Sequence, residues 1–339
     1  MSGAADALYV RVDASPLTGL GHFTRCFALG QHWRDMGRTV TFVGSYPAEL
    51  RARLTAEGIG TVAIPQTHPA GDDLPATLEA IPRKALTVLD GYRFDYEYQR
   101  SLAADRRLLV IDDIGHLPAY AGAALLNSNL FADDIEYAHA PTRRWLGADY
   151  ALLRRAFRQQ RAHTVRRAAA GKILVSLGGV DAGNHTLDVL RALEPLGARA
   201  HARVIVGPLN AHRPLLAAFA ADRPWLALLD NPDMSAEIAE ADLVIASASS
   251  IFFEIAVLAT PSVLLATADN QLPVGRAAAD LRAAVYAGDA RHIGVATLRT
   301  LIEDVLGDTE RCKSLGAKAG KLVDGDGVER IGRLLGDLR

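Results

Sequence analysis

The stretch DASPLTGLGHFTRCFAL, residues 13–29, sets a histidine and an arginine beside two glycines, between an apolar run and an amphipathic segment. Gly19 and Gly21 let the backbone approach a ligand closely. The helix expected from Phe23 to Met36 would point free N–H groups and a partial positive charge at whatever lies over the loop, which suits phosphate. Phosphate binding needs no histidine. Imidazole exchanges protons near neutral pH, so His22 at the loop mouth is the candidate general base, against the plainer alternative of a helix-start histidine packed on the loop.

Further candidates stand where other apolar runs end. LTVLDGYRFD puts Asp90 and Tyr92 at a strand's carboxyl edge, the edge at which open α/β sheets bind ligands. In VSLGGVDAGNHT a strand runs into Gly178 and Gly179 and then into polar residues that can cap a helix, a second possible anion site. LVIASASSIFFEIAVL ends a strand in small residues and starts a helix at Ser249 and Ser250, with Glu254 about one turn in. Those hydroxyls and amides suit a diphosphate, and the carboxylate suits the two hydroxyls of a ribose. Taken singly, an ordinary cap and a first-turn acid explain Ser249 and Glu254 as well. LATADNQLP places the Asn270 and Gln271 amides at the same edge of the next strand.

Other chemistries find less support. A dinucleotide fingerprint needs a third glycine where this chain has Thr24, and an acid after the second strand, where TVTFVG has none. The ten histidines show no HExxH or comparable ligand spacing, and the DGDG at Asp324 and Asp326 reads as a turn, so neither a metal nor a cofactor is expected. Cys26 and Cys312 lie in no CxxC pair and read as buried, reduced thiols of a cytoplasmic protein.

The elements that would position these residues alternate. LYVRVDA, TVTFVGS, TVAIP, LTVLDG and LLVIDD lead the first half, and KILVSLGG, ARVIVGP, LALLD, LVIASAS and SVLLATA lead the second, with helical patterns between. Such alternation predicts βαβ units and parallel sheets. At 339 residues the chain exceeds what one core usually supports, so two α/β domains are expected, 1–160 and 161–339, joined through an arginine-rich stretch from Arg154 to Arg167. From about residue 294 the pattern is helical throughout, with a last helix that can return to the first domain.

Composition narrows the partners. With 37 basic and 39 acidic residues, net charge −2, there is no positive field for nucleic acid. The longest apolar tract, IFFEIAVLATPSVLLATA, is broken by Glu254 and Pro261 and reads as a helix followed by a buried strand, not a membrane span. The N-terminus has neither the basic nor the apolar region of a signal peptide. Oligomeric state is not legible.

In series, RVDASPLTGLGHFTRCFALGQHWRDMG, LTVLDGYRFDYEYQ, LLVIDDI, WLGADYALLRRAF, ILVSLGGVDAGNHT, IASASSIFFEIAVLATPSVLL and ADNQ resemble the UDP-2,4-diacetamido-2,4,6-trideoxy-β-L-altropyranose hydrolases of pseudaminic acid biosynthesis. The resemblance runs from residue 9 to about 335 and is most specific at G-x-G-H-x-x-R and at the Ser-Ser, Glu and Asn-Gln series. Where the family commonly reads Gly-Gly-Ser-Asp-Pro, this chain has Gly-Gly-Val-Asp-Ala. The family is in turn similar to the N-acetylglucosaminyltransferase of peptidoglycan synthesis. The resemblance therefore implies a GT-B-like α/β fold, two Rossmann-like domains with parallel sheets facing across a cleft.

It also implies an activity: water attacks the anomeric carbon of a UDP-sugar, and UDP and the free sugar are released without a cofactor. His22 then corresponds to the catalytic histidine, Asp13 and Tyr92 to polar residues flanking the sugar, and Asn270 to the amide near the reaction centre. Gly19, Gly21 and Arg25 belong to the substrate loop, while Gly178, Gly179, Ser249, Ser250, Glu254 and Gln271 fall on the nucleotide side, with Met234 of DNPDM approaching uracil through its backbone. Two rivals remain: a GT-B glycosyltransferase that passes the sugar to a lipid or glycan, and a non-catalytic nucleotide-sugar binding protein.

Overall fold

The computed structural model describes residues 7–15, 19–65, 73–163, 171–197, 199–207 and 210–338. The chain forms two compact units, Met1–Arg155 with Gly325–Arg339, and Ala156–Asp324. The division falls a few residues before the expected boundary. The last helix packs with the first unit, the return its pattern allows, although the boundary drawn at 161 assigns it to the second. The expected linker lies partly outside the described residues; its described part continues the chain as a helix.

The first unit runs β1 (Leu8–Val12), α1 (Gly21–Asp35), β2 (Val40–Gly44), α2 (Ala48–Ala56), β3 (Gly60–Ala63), α3 (Leu74–Ala80), β4 (Leu86–Asp90), α4 (Tyr96–Ala103), β5 (Arg107–Ile111), β6 (Ala124–Asn127) and β7 (Arg144–Leu146). After α5 (Arg155–Arg161), the second runs β8 (Lys172–Ser176), α6 (His185–Leu193), β9 (His201–Ile205), α7 (Arg213–Ala220), β10 (Leu226–Leu229), α8 (Met234–Glu240), β11 (Leu243–Ser247), α9 (Ile251–Val257), β12 (Ser262–Ala266), α10 (Leu272–Asp280), β13 (Val285–Asp289), α11 (Val295–Gly307) and α12 (Thr309–Leu322). Finally α13 (Gly327–Gly336) rejoins the first unit.

Both sheets are parallel. Their orders are β3-β2-β1-β4-β5-β6-β7 and β10-β9-β8-β11-β12-β13. Each has the Rossmann reversal, at β1/β4 in the first and β8/β11 in the second, which opens a crevice beyond the strands' carboxyl ends. The ten strands expected from apolar runs are present. Three more, β6, β7 and β13, were not legible, because ALLN and RWL are short and VYAGD is a half-buried edge.

Central strands are buried on both faces, as helix-covered parallel sheets require. In β1, Leu8, Val10 and Val12 face one core with Phe23, Cys26, Phe27 and Trp33 of α1. The opposite face holds Val43, Leu89, Phe94, Tyr98 and Val110. Met36, where the sequence pattern ends the helix, is 39% exposed, since α1 stops at Asp35 and Met36 serves as its C-cap. Cys26 is buried, as expected, but Cys312 is only half-buried. Val328, Ile331 and Leu335 recur on one side of α13 and enter the α1 core.

Two glycines let α13 dock. A Cβ on Gly332 would meet His32 Nε2 at 2.7 Å, a side chain that can yield, but one on Gly327 would lie 2.2 Å from the Ala151 carbonyl oxygen. Gly327→Ala is therefore expected to lower stability by about 1–3 kcal/mol through overpacking, read as a fall in Tm of the first unit; an unchanged Tm would show that the final helix does not seat here.

Candidate active site

The loop after β1 closes on itself through a bridge between Ser15 and Gly19, with the Gly19 N–H donating to the Ser15 carbonyl at 2.9 Å. Gly19 sits at φ +72°, and a Cβ there would meet nothing within 4 Å, so the need for glycine is conformational. Pro16–Thr18 lie outside the described residues. The chain then enters α1 at Gly21, and His22 follows on its first turn, over the β1/β4 reversal.

Four neighbouring strands deliver polar residues to this edge. Val12 pairs with Asp90 and Asp90 with Ile111, so Asp13, Asp90, Asp112 and Asp113 stand side by side at the ends of β1, β4 and β5, and Asn127 and Asn129 come from β6. Asp90 is the hub. Its carboxylate accepts from Arg25 Nε and Nη2 at 2.7 Å each, from the Cys26 thiol at 3.3 Å, and meets His22 Nδ1 at 2.7 Å. Arg25 also donates to Asp113, at 2.5 Å from Nη1 and 3.1 Å from Nη2. The Tyr92 hydroxyl donates to Asp113 at 2.8 Å, and its ring meets His22 edge to face at 4.8 Å. Asn129 Nδ2 closes the set on Asp113 at 3.2 Å.

The charges fix the tautomer. Complete burial opposes ionisation of Asp90, but the charges and hydrogen bonds of Arg25 and then His22 outweigh it and hold the carboxyl well below the usual range. An ionised carboxylate only accepts, so His22 presents its Nδ1 proton to Asp90, and in the neutral ring Nε2 carries the lone pair. The 3.0 Å approach of Arg25 Nη2 to His22 Nδ1 thus brings two donors onto one carboxylate, not a bond between them. Burial, then Asp90, push the Cys26 thiol well up, so it is a donor here and not a nucleophile.

Two residues expected to contact substrate carry ion pairs. Arg25, assigned to substrate, has its buried guanidinium on Asp90 and Asp113, where it compensates two carboxylates. Asp13, expected beside the sugar, accepts from Arg11 at 2.7 Å and from the Ser45 N–H at 2.8 Å, and pairs with Arg93 at 2.8 Å. Arg11 and Arg93 also meet Asp73, and Arg11 donates to Thr77 and Tyr98, so Asp13 belongs to a buried ion network that ties β1 to its surroundings.

In the second unit, the loops bearing Gly178–Gly179 and Ala248–Ser250 follow the adjacent strands β8 and β11, at the reversal of that sheet. Gly178 has φ +97°, and Gly179 packs so closely that a Cβ on Gly207 would lie 2.4 Å from its Cα. The anion site expected at α6 already has an anion: Asp181 accepts from the His185 and Thr186 N–H groups at 2.9 Å each. Ser250, not Ser249, is the N-cap residue of α9 and makes no side-chain cap bond, while Ser249 Oγ meets Ser247 Oγ at 2.9 Å. Glu254 is buried in the first turn. Met234 opens α8 behind the capping Asp233. Asn270 is exposed in a short turn, and Gln271 Oε1 accepts from the Thr267 N–H at 2.9 Å.

The structure thus joins His22 to Tyr92 and adds Asp90, Asp113 and Asn129. Asp90 stood in view at its strand end; the signal for Asp113 was the acidic doublet closing LLVIDD, since two successive strand-end residues face opposite sides of a sheet, and no motif marked Asn129. Among the described residues no group of three or more His, Cys, Asp or Glu could hold a metal ion, and no helix is long and apolar enough to cross a membrane.

The fold, two Rossmann-like α/β units of the GT-B class, recurs in solved structures. MurG of Acinetobacter baumannii has a TM-score of 0.65 at 15% identity, over 98% of this chain and 99% of that one. The spinosyn rhamnosyltransferase SpnG complexed with thymidine diphosphate gives 0.66 at 17%, over 97% and 99%. Among curated proteins, the spore coat polysaccharide biosynthesis protein SpsG of Bacillus subtilis (strain 168) is 25% identical over 205 residues, which spans 60% of this chain and 60% of that protein's length. No family model matches the sequence.

Asp90→Asn supplies a test of the charge arrangement. A carboxylate whose folded pKa is depressed contributes stability that is present above its unfolded pKa, ~4, and is lost as pH falls towards the folded value. Thermal melts between about pH 5 and 2.5 are expected to show a shallower acid slope for the variant than for the wild type; equal slopes would refute the pairing.

Proposed function

We propose that the protein transfers a sugar from a nucleoside diphosphate sugar, with His22 as the general base. The observation that carries this reading is the His22–Asp90 pair at the sheet reversal, with Nδ1 on the carboxylate and Nε2 the ring nitrogen left off it. An attacking hydroxyl loses its proton to Nε2 as its oxygen bonds the anomeric carbon; the carbon–oxygen bond to the diphosphate breaks, and the nucleoside diphosphate departs with that electron pair. Asp90 stabilises the imidazolium formed, as the acid of a His–Asp pair does elsewhere. Tyr92 lines the sugar beside His22. Gly178, Gly179, Ser249, Ser250, Glu254, Met234, Asn270 and Gln271 act on the nucleotide, with α6 contributing little to the diphosphate because Asp181 holds its first amides. The names of SpsG, a polysaccharide biosynthesis protein, and SpnG, a rhamnosyltransferase holding thymidine diphosphate, support transfer to a glycan or other hydroxyl acceptor.

Hydrolysis is the second reading, favoured by one observation: the G-x-G-H-x-x-R loop together with the Ser-Ser, Glu and Asn-Gln series. The same histidine then takes its proton from water, and the product is a free 2,4-diacetamido sugar on the route to a nonulosonic acid. The chemistry differs only in what is admitted beside Nε2.

One experiment separates the readings. Purified protein is given UDP-2,4-diacetamido-2,4,6-trideoxy-β-L-altropyranose or UDP-N-acetylglucosamine, with and without a polysaccharide or lipid-linked acceptor, and free UDP is followed by NMR. Transfer predicts release only with acceptor; equal release from the diacetamido sugar nucleotide without acceptor establishes hydrolysis instead. Binding of UDP with no release under any condition overturns both. His22→Ala is expected to reduce the rate by ~100- to 10,000-fold while UDP still binds.

A further inference from the structure

Beside the first histidine stands a second with the same electrostatic preparation. Asp112 is buried at the end of β5 and accepts four hydrogen bonds: from the Tyr137 hydroxyl at 2.6 Å, the Tyr120 hydroxyl and the Gly115 N–H at 2.7 Å each, and His116 Nδ1 at 2.9 Å. Burial opposes its charge, yet the donors, His116 first, hold the carboxyl below its ordinary range. Burial, together with Asp112, pushes both phenols up, so they remain donors. The carboxylate is therefore an acceptor with no proton to give, and His116 must present its N–H from Nδ1.

In the neutral ring, Nε2 of His116 then carries the lone pair. It is buried and has no hydrogen-bond partner. A histidine kept only for packing normally satisfies its second nitrogen, so a buried acceptor left open asks for a donor from outside the chain. Its surroundings point to which. The Tyr92 ring meets His116 edge to face at 5.3 Å and His22 at 4.8 Å, so one tyrosine ring separates the two histidines. Tyr92 is itself tethered to Asp113, which shares Arg25 with Asp90. The two His–Asp pairs thus belong to one braced constellation at the ends of β4 and β5.

We infer that His116 is a second sugar-contacting residue of this site, whose Nε2 accepts a hydrogen bond from a donor substituent of the pyranose, a hydroxyl or an acetamido N–H. It selects sugars by what they donate, while His22 acts on the attacking oxygen. The inference rests on the nucleotide-sugar reading above. No proton is transferred at His116, and its partner group keeps its own.

Calorimetry tests it with UDP and UDP-N-acetylglucosamine as probes. The wild type is expected to bind the sugar nucleotide more tightly than UDP. His116→Ala is expected to lose about five- to tenfold of that difference, one hydrogen bond, with UDP affinity unchanged. His116→Gln, which keeps an acceptor, recovers part of it. A difference intact in His116→Ala, or absent from the wild type, overturns the inference while leaving UDP binding in place. Failure of the wild type to bind UDP overturns instead the reading beneath it. Nitrogen-15 NMR of the free protein gives a readout independent of any ligand: the Nδ1–H tautomer is expected at His116, and a neutral ring protonated at Nε2 overturns the inference.

Discussion

A buried carboxylate that must stay charged governs the first unit's ligand edge. Asp90 has no exposed side-chain surface, and an isolated carboxylate in such a place would be costly enough to take up a proton. Arg25 prevents this by reaching from α1 with two nitrogens, and Arg25 in turn brings Asp113 and, through it, Tyr92. His22 Nδ1 and the Cys26 thiol, also on α1, meet the same carboxylate. Removing one partner of such a network leaves an uncompensated buried ion, so its parts stand or fall together.

The fold explains why the network lies where it does. A reversal of strand order leaves the loops after β1 and β4 diverging to opposite faces, and the gap between them is the natural place for a ligand. His22 comes from one loop and Asp90 from the other strand end, so the pair assembles only when the sheet does. The second unit repeats the reversal, with Gly178, Gly179, Ser249 and Ser250 in the loops that follow β8 and β11.

Capping shows how one side chain can cancel a motif. A strand, a glycine turn and a helix together look like an anion site in VSLGGVDAGNHT, and the helix does begin where expected. Its first amides nevertheless go to Asp181, four and five residues upstream, because a local carboxylate meets the helix dipole at no cost in association entropy. Asp13 likewise stands at the expected edge and is ion-paired there with Arg11 and Arg93.

By itself the sequence determined what repeats locally. Ten strands, the wholly helical end and the α/β class followed from apolar periodicity; His22 could be placed in the turn after the first apolar run, and Asp90 and Tyr92 at the end of LTVL. Tertiary structure decided everything that depends on which strand end lies beside which. Arg25 and Asp113 are 88 residues apart, and His22 and Asp90 are 68 apart, so no spacing rule relates them. The same holds for His116: IDDIGH shows a histidine four residues after an aspartate, and only the tertiary structure brings the Tyr120 and Tyr137 hydroxyls onto that aspartate and the Tyr92 ring against the histidine. Periodicity is written in neighbouring residues, but hydrogen-bond competition is settled between distant ones.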